Sequence, residues 1–554
     1  MLKVERWVER RDLGQMNRFE GRAEIVVNES KELMMSRILH GETLPLASGG
    51  AVDEERGLRA DDVATPSAPK SQTWPFWYIF SELQDDPSNL LSTSEKTVES
   101  LKKLGSVQSM ADNLEKFPGI PVPTIYTFFG QFVDHDITLE KATEAVDLSN
   151  LNLTPLSRDE VKNQIVNSRS PNLELDSVYG DNELVHTDDI PRDPANNDKM
   201  LLGIVSNPAS LPLGKDIYND LPRRRPNPAD PRTDRAALIG DSRNDENLIV
   251  AQLHVAFLRA HNALIDRLGC TFDEARKLII QHYQWIVLND FLGRVADPAI
   301  VKKVRYEGPS FFNPTRESFF MPLEFSVAAY RFGHSKVREF YLGYNRIHLQ
   351  AQLFDLFTFT KFSGRFGGLG PLVEHIPGDW VIDWTNFLRS DNKDFFSRPI
   401  DTMLAQSLLA LDMQNGIAIQ GERNLAIRNL LRGYILRLPT GQAVARAMSS
   451  QGILPLSDTE IASVAANSDQ LKELQDSGFL TQTPLWFYIL AEAVYYNKGQ
   501  HLGPVGSTIV AEVLIGVLRF SDYSILSEPN WKPTLGQTPN KFDLKDFLRL
   551  ANVL

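Results

Sequence analysis

From Trp74 to the C-terminus, apolar residues recur mainly at a helical spacing, and this restricts the chain more than any other feature. After Gly240 they fall at Ile249, Leu253, Ala256, Phe257, Ala260, Leu264 and Leu268, the three-and-four spacing that one buried helix face requires. Asp241 or Ser242 is placed to cap this helix, and Ser242 with Asp245 forms a loose capping box. The same spacing predicts helices over 272–292, 324–340, 424–431 and 483–496. Period-two alternation is scarce and short, and no repeat of fixed period occurs, which argues against a solenoid or propeller. A length of 554 residues would allow about three or four ordinary domains, yet no long linker divides the chain after Trp74. The expected fold is mainly α: one large helical domain over 73–554 with long loops. The stretch 1–72 is polar and holds linker-like runs such as Ala47-Ser48-Gly49-Gly50-Ala51, so it is expected to be an N-terminal arm or extension.

Composition excludes several partners. The chain carries 58 Lys and Arg against 71 Asp and Glu, a formal net charge of −13, so it lacks the basic excess that a phosphate backbone selects. The richest apolar runs, 485–496 and 509–518, are interrupted by Glu492 and Glu512. They read as core helices, and no transmembrane segment is expected. Cys270 is the single cysteine, too few for a disulfide or a thiolate metal site. The charged start Met1-Leu2-Lys3-Val4-Glu5-Arg6 lacks the apolar run of an ordinary signal peptide. A cytoplasmic location is the expectation, with other export routes left open.

Chemistry concentrates in three segments. In Phe129-Gly130-Gln131-Phe132-Val133-Asp134-His135-Asp136, a helix would bring Gln131, Asp134 and His135 onto one face. Such a polar cluster serves a ligand if buried, or is a solvated helix end. In Gly240-Asp241-Ser242-Arg243-Asn244-Asp245-Glu246, Arg243 and Glu246 share a face, which alone could be a surface ion pair worth little. In Tyr330-Arg331-Phe332-Gly333-His334, a glycine that weakens a helix by about 1 kcal/mol suits close approach of something flat.

Taken together and in this order, the segments resemble the animal-type haem peroxidases of the peroxidase–cyclooxygenase superfamily, including their bacterial members. The resemblance runs from about Thr73 to the C-terminus. It implies that His135 is the distal histidine, Arg243 the distal arginine and His334 the proximal iron ligand. Asn429, in Arg428-Asn429-Leu430-Leu431-Arg432-Gly433, would support His334 by accepting from its second ring nitrogen. His135 would act as base on hydrogen peroxide, with Arg243 stabilising developing charge and Gln131 orienting water or halide. Arg331 would contact the cofactor, haem b. Asp134 and Glu246 match the two carboxylates that mammalian members join to haem methyls as esters; the plain alternative is hydrogen bonding within the distal helices. The expected substrates are hydrogen peroxide with halides, thiocyanate or small aromatic donors.

The resemblance also implies calcium, held by Asp136 and by a loop with Ser170, Asn172, Glu174 and Asp176 before Tyr179-Gly180. Oxygen donors suit this hard cation. Glu174 stands where the family usually has aspartate, and an ordinary acidic loop is the alternative. Two other functions compete. Cyclooxygenases carry a radical tyrosine three residues before the proximal histidine; here that position is Arg331, and Tyr330 would point about 100° away on an α-helix. A non-catalytic adhesion or binding module would be expected to lose His135, Arg243 or His334, and all three are present.

Overall fold

The computed structural model describes residues 42–43 and 73–554, apart from 109–119, 143–151, 181–186, 207–218, 230–233, 361–373, 415–416, 419–421 and the positions 171, 228, 316, 358, 412 and 529. The expected N-terminal arm therefore lies outside the described residues, save for one strand.

Helices carry the architecture, as the periodicity requires. We number the seven that position the site: α1 (Glu95–Ser106), α2 (Ile125–Ile137), α3 (Leu248–Leu268), α4 (Phe272–Ile286), α5 (Leu425–Ile435), α6 (Leu485–Asn497) and α7 (Pro504–Phe520). Strands are short. β1 (Glu42–Thr43), β2 (Trp74–Trp77), β3 (Glu140–Ala142), β4 (Ile165–Asn167) and β5 (Met321–Pro322) form a sheet of order β1-β3-β4-β2-β5. β2 runs antiparallel to β4, with Trp74 opposite Asn167, and parallel to β5, with Phe76 opposite Met321.

α3 is the central element. It starts where the Asn247 side chain accepts from the Val250 amide, and it ends at Gly269 in a left-handed conformation, φ 63°, a position that suits glycine. The expected cap was misplaced by one short turn. Asp241 instead accepts from the Arg243 amide and caps a 3-10 turn, Ser242–Asp245. α3 is long and apolar enough to cross a membrane by length and composition, but 89% of that stretch is buried inside the protein. An all-round apolar helix in that position is a core helix. α2 packs on it through Phe132, whose ring stacks on Phe257 at 4.6 Å and 8°.

The acids that interrupt the apolar runs are themselves buried. Glu492 of α6 accepts from the Val505 and Gly506 amides, which places a carboxylate on the exposed donors at the start of α7. Glu512 takes the amides of Ser310, Phe311 and Phe312. Neither interrupts its helix, because each carboxylate is satisfied by backbone amides of another segment.

The segment expected to be helical over 324–340 departs most from the periodicity. It forms a π-helix, Glu324–Ala328, then a 3-10 helix, Ala329–Lys336, and is extended by Phe340. Glu324 provides a physical reason. Its carboxylate accepts from the Ile79 and Phe80 amides at 2.9 and 3.1 Å, fixing the start of the segment to the end of β2. The turns beyond must then adjust their winding to bring 330–336 against α6 and α7, and π turns of this kind gather at functional sites.

Candidate active site

The C-terminal half of α2 and the 3-10 helix face each other across a cavity with about 1150 Å³ of unfilled space, part of it open to solvent. Gln131, Asp134 and His135 line one wall, as the spacing on one helix face requires; Tyr330, Arg331, Gly333, His334 and Lys336 line the other, and Glu246 lies between. A Cβ built on Gly333 would meet no atom within 4 Å, so this glycine leaves open room beside His334.

Hydrogen bonding orients His135. Its Nδ1 lies 2.8 Å from Asn244 Oδ1, and Asn244 Nδ2 lies 3.0 Å from His254 Nδ1. The amide nitrogen can only donate, so its oxygen accepts from His135 Nδ1–H and leaves His135 Nε2 with its lone pair. Burial, then the charge of Arg243, lowers the His135 pKa to about 3. The ring is therefore neutral near pH 7 and available as a base. Neither Asn244 nor His254 was legible as a site residue. The contact joins a 3-10 turn to the interior of α3, which no local pattern announces.

Arg243 is close to His135 but is not among the residues lining the cavity. Its Nε lies 3.1 Å from both Asp241 oxygens, and its Nη2 donates to the carbonyls of His135 at 3.0 Å and Thr138 at 2.6 Å. Arg169 also pairs with Asp241. Burial would raise the Asp241 pKa, but the two guanidiniums hold it well below the usual carboxylate range. This ion pair draws Arg243 behind the histidine, a correction to its expected place at the peroxide. Its Nη1 has no hydrogen-bond partner among the described residues.

The two ester candidates both face the cavity. Glu246 Oε2 is 3.4 Å from Gln131 Nε2, and Gln131 Oε1 accepts from Asn247 at 3.2 Å; Glu246 Oε1 is buried without a partner among the described residues. Burial raises Glu246 to about 8 and also raises Asp134, which accepts from Thr138 Oγ1 at 3.0 Å. An orphaned carboxyl oxygen on a cavity wall is a contact waiting for a ligand.

On the proximal side, Asn429 reaches His334, but with the polarity opposite to that expected. Asn429 Nδ2 donates to His334 Nδ1 at 2.9 Å, while its Oδ1 accepts from Arg331 Nη1 at 3.3 Å. Arg331 claims the amide oxygen, so a neutral His334 holds its proton on Nε2. Presenting an Nε2 lone pair to iron requires the proton on Nδ1 and the amide oxygen turned to the ring. Burial lowers the His334 pKa to about 3.

The acidic loop is only partly assembled. Ser170 Oγ donates to Asp176, and Asp136 accepts from the Leu175 amide at 3.1 Å. Burial raises Asp136 to about 7 and raises Asp176 as well, with the charge of Asp136 adding to the latter. Asn172 Oδ1 is buried without a partner. Glu174, however, is held by Ser521 Oγ at 2.6 Å and by the Asp522 amide. Among the described residues no group of three or more His, Cys, Asp and Glu is arranged to hold a metal. Thus Asp136, Asp176 and Ser170 come together, and the longer acid does not join them.

Comparison with known proteins turns on the middle of the chain. Residues 150–361 match the family model described as animal haem peroxidase. Over that stretch the chain is similar to animal haem peroxidases. The matched stretch includes Arg243 and His334, whereas His135 and Asn429 fall outside it. A peroxidase-like protein of Margaritifera margaritifera is 27% identical over 259 residues, 38% of this chain and 31% of that protein. Mouse thyroid peroxidase is 31% identical over 166 residues, 27% of this chain and 18% of that protein. The chain thus spans under a third of the length of these curated relatives. Peroxidase A from Dictyostelium discoideum has the same fold, with a TM-score of 0.53 and 15% identity, covering 82% of this chain and 88% of that one. So does a fatty acid alpha-dioxygenase of Oryza sativa, at 0.51 and 11%, covering 84% and 77%.

Proposed function

We propose that this chain binds haem b in the cavity and uses hydrogen peroxide to oxidise halides, thiocyanate or small aromatic donors. The observation that carries this reading is His135, neutral, with Nδ1–H committed to Asn244, facing His334 across the cavity. His334 would hold haem, which would supply redox-active iron for the reaction with peroxide. His135 Nε2 is the group that takes a proton from peroxide and returns it to the departing oxygen as water. Burial, helped by the charge of Arg243, keeps that imidazole neutral, and Gln131, fixed by Asn247 and Glu246, orients what lies beside it. Loading requires the Asn429 amide to turn its oxygen to His334.

The test is a spectrum and a pair of assays on the purified protein. A Soret band that shifts with hydrogen peroxide, together with turnover of guaiacol and bromide, is expected. Absence of a Soret band after haem reconstitution would defeat the reading. Oxygen uptake with linoleate, without donor turnover, would favour the second reading, a fatty-acid oxygenase. That reading draws support from Tyr330, which the α-helical argument turned away from the site. In the 3-10 helix it lines the cavity, and its hydroxyl is buried without a partner.

Calcium belongs to the same proposal. Asp136, Asp176, Ser170 and Asn172 Oδ1 are oxygen donors of the right class, and a cation between the two acids would relieve their mutual repulsion. Chelation with EGTA is expected to broaden or diminish the Soret band, because Asp136 adjoins His135. Exhaustively chelated protein with an unchanged Soret band and unchanged donor turnover would remove calcium from the site.

A further inference from the structure

Lys336 lines the cavity, and the proposed reading gives it no task. It closes the 3-10 helix, two residues beyond His334. Its side chain is 1% exposed and lines the cavity, and its Nζ has no hydrogen-bond partner among the described residues. A buried lysine amine without a partner is among the costlier features a core can hold. The same cavity wall includes Val337, Leu353, Phe357, Leu408 and Leu411, so the surroundings are apolar rather than compensating.

The winding of the segment adds a second observation. Residues three apart eclipse in a 3-10 helix, which puts Arg331 and His334 on one face and Tyr330, Gly333 and Lys336 on another. That second face spans about 12 Å at the 3-10 rise. It carries an unpartnered hydroxyl at Tyr330, open space at Gly333 and an unpartnered amine at Lys336. Arg331, by contrast, is engaged with Asn429 Oδ1 and with the Ser326 carbonyl at 3.0 Å.

We propose that Lys336 is an anion-binding residue of the cavity, taking the carboxylate of a ligand whose body is apolar. The inference rests on the cavity being the ligand site argued above. Two sources present this chemistry: a propionate of the porphyrin, and the carboxylate of a long-chain organic acid. A carboxylate supplies the charge-assisted hydrogen bonds that Nζ lacks, while the apolar body meets the leucine and phenylalanine wall.

The experiment compares wild type with Lys336→Met and Lys336→Arg in the full chain, and reads binding rather than turnover. One arm measures haem loss to excess apomyoglobin, with haem dimethyl ester as the uncharged control. The other measures palmitate binding by calorimetry, to protein with and without haem, with methyl palmitate as control. If a propionate is the partner, Lys336→Met loses haem about 10- to 100-fold faster and no longer distinguishes haem from its dimethyl ester. If an organic acid is the partner, palmitate binding weakens by a similar factor while haem loss is unchanged. Lys336→Arg keeps either property. The melting temperature of haem-free Lys336→Met is expected to hold or rise, because an isosteric apolar side chain removes an unpartnered buried polar group. Wild-type behaviour of Lys336→Met in both arms, or a marked drop in that melting temperature, overturns the proposal. A wild type that takes up no haem defeats the preceding functional reading instead, and the palmitate arm still decides the role of Lys336.

Discussion

Replacing His135 with alanine is expected to leave haem binding intact and to slow the reaction with hydrogen peroxide by about two to four orders of magnitude, the usual contribution of a positioned acid–base group. Haem should remain because His334, which would hold it, is left unchanged. Stopped-flow absorbance at the Soret maximum reads the rate directly, and a variant that reacts at near wild-type speed would remove His135 from the role of base. The pH profile follows from the same geometry. The His135 pKa is lowered to about 3, so the base stays unprotonated as pH falls, and the rate should hold down to about pH 4 before dropping. Asn244→Ala breaks the bond that fixes the tautomer without removing the base. It should slow the reaction less than His135→Ala does, and it should not raise the pH at which the rate begins to fall, because that hydrogen bond favours the protonated ring.

The second large effect concerns attachment of the cofactor. Brief treatment with hydrogen peroxide is expected to make haem resist acid–acetone extraction, and Asp134→Asn with Glu246→Gln is expected to release it quantitatively. An ester forms from one haem methyl, one carboxylic acid and one hydrogen peroxide, with two waters leaving. Glu246 suits that balance. Its pKa of about 8 keeps it a neutral acid near pH 7, and its Oε1 is unpartnered at the cavity wall. An independent signature comes with this. Before linkage, ionisation of Glu246 should produce a second inflection near pH 8 in the peroxide reaction; after linkage, or in Glu246→Gln, the inflection should vanish. Quantitative recovery of free haem from the peroxide-treated wild type would exclude the esters. It would also weaken the halide reading, which leans on a rigidly held porphyrin.

The sequence carried the residue types of the site and their sides of the cavity, because both depend on short-range pattern. Gln131, Asp134 and His135 sit three and four apart on an ordinary helix, so one face follows from the spacing. The failures share a cause. The segment around His334 was read as α-helical from its apolar period, whereas the Glu324 carboxylate fixes its start to β2 and the winding changes along it. Tyr330 consequently lines the cavity from which an α-helical angle excluded it. Arg243 was placed at the peroxide by motif, but Asp241, two residues before it, claims its guanidinium. The polarity of the Asn429 amide likewise depends on Arg331, 98 residues away. Each error is one of tertiary competition for a hydrogen-bonding group, which a spacing rule does not contain.

The walls of the cavity come from segments far apart in the chain: α2 near residue 131, the turn at 242–247, the 3-10 helix at 329–336 and α5 at Leu425. The strand pairing that fixes the proximal segment, β2 with β5, joins Phe76 to Met321. Such long closures must be made before they are rewarded, and chains of this kind fold slowly. The two facing histidines should therefore meet late in folding, when most of the helical core has already formed. A ligand that binds only the finished cavity then draws the last step forward by mass action. Haem supply during synthesis should thus set the yield of folded protein as well as its occupancy.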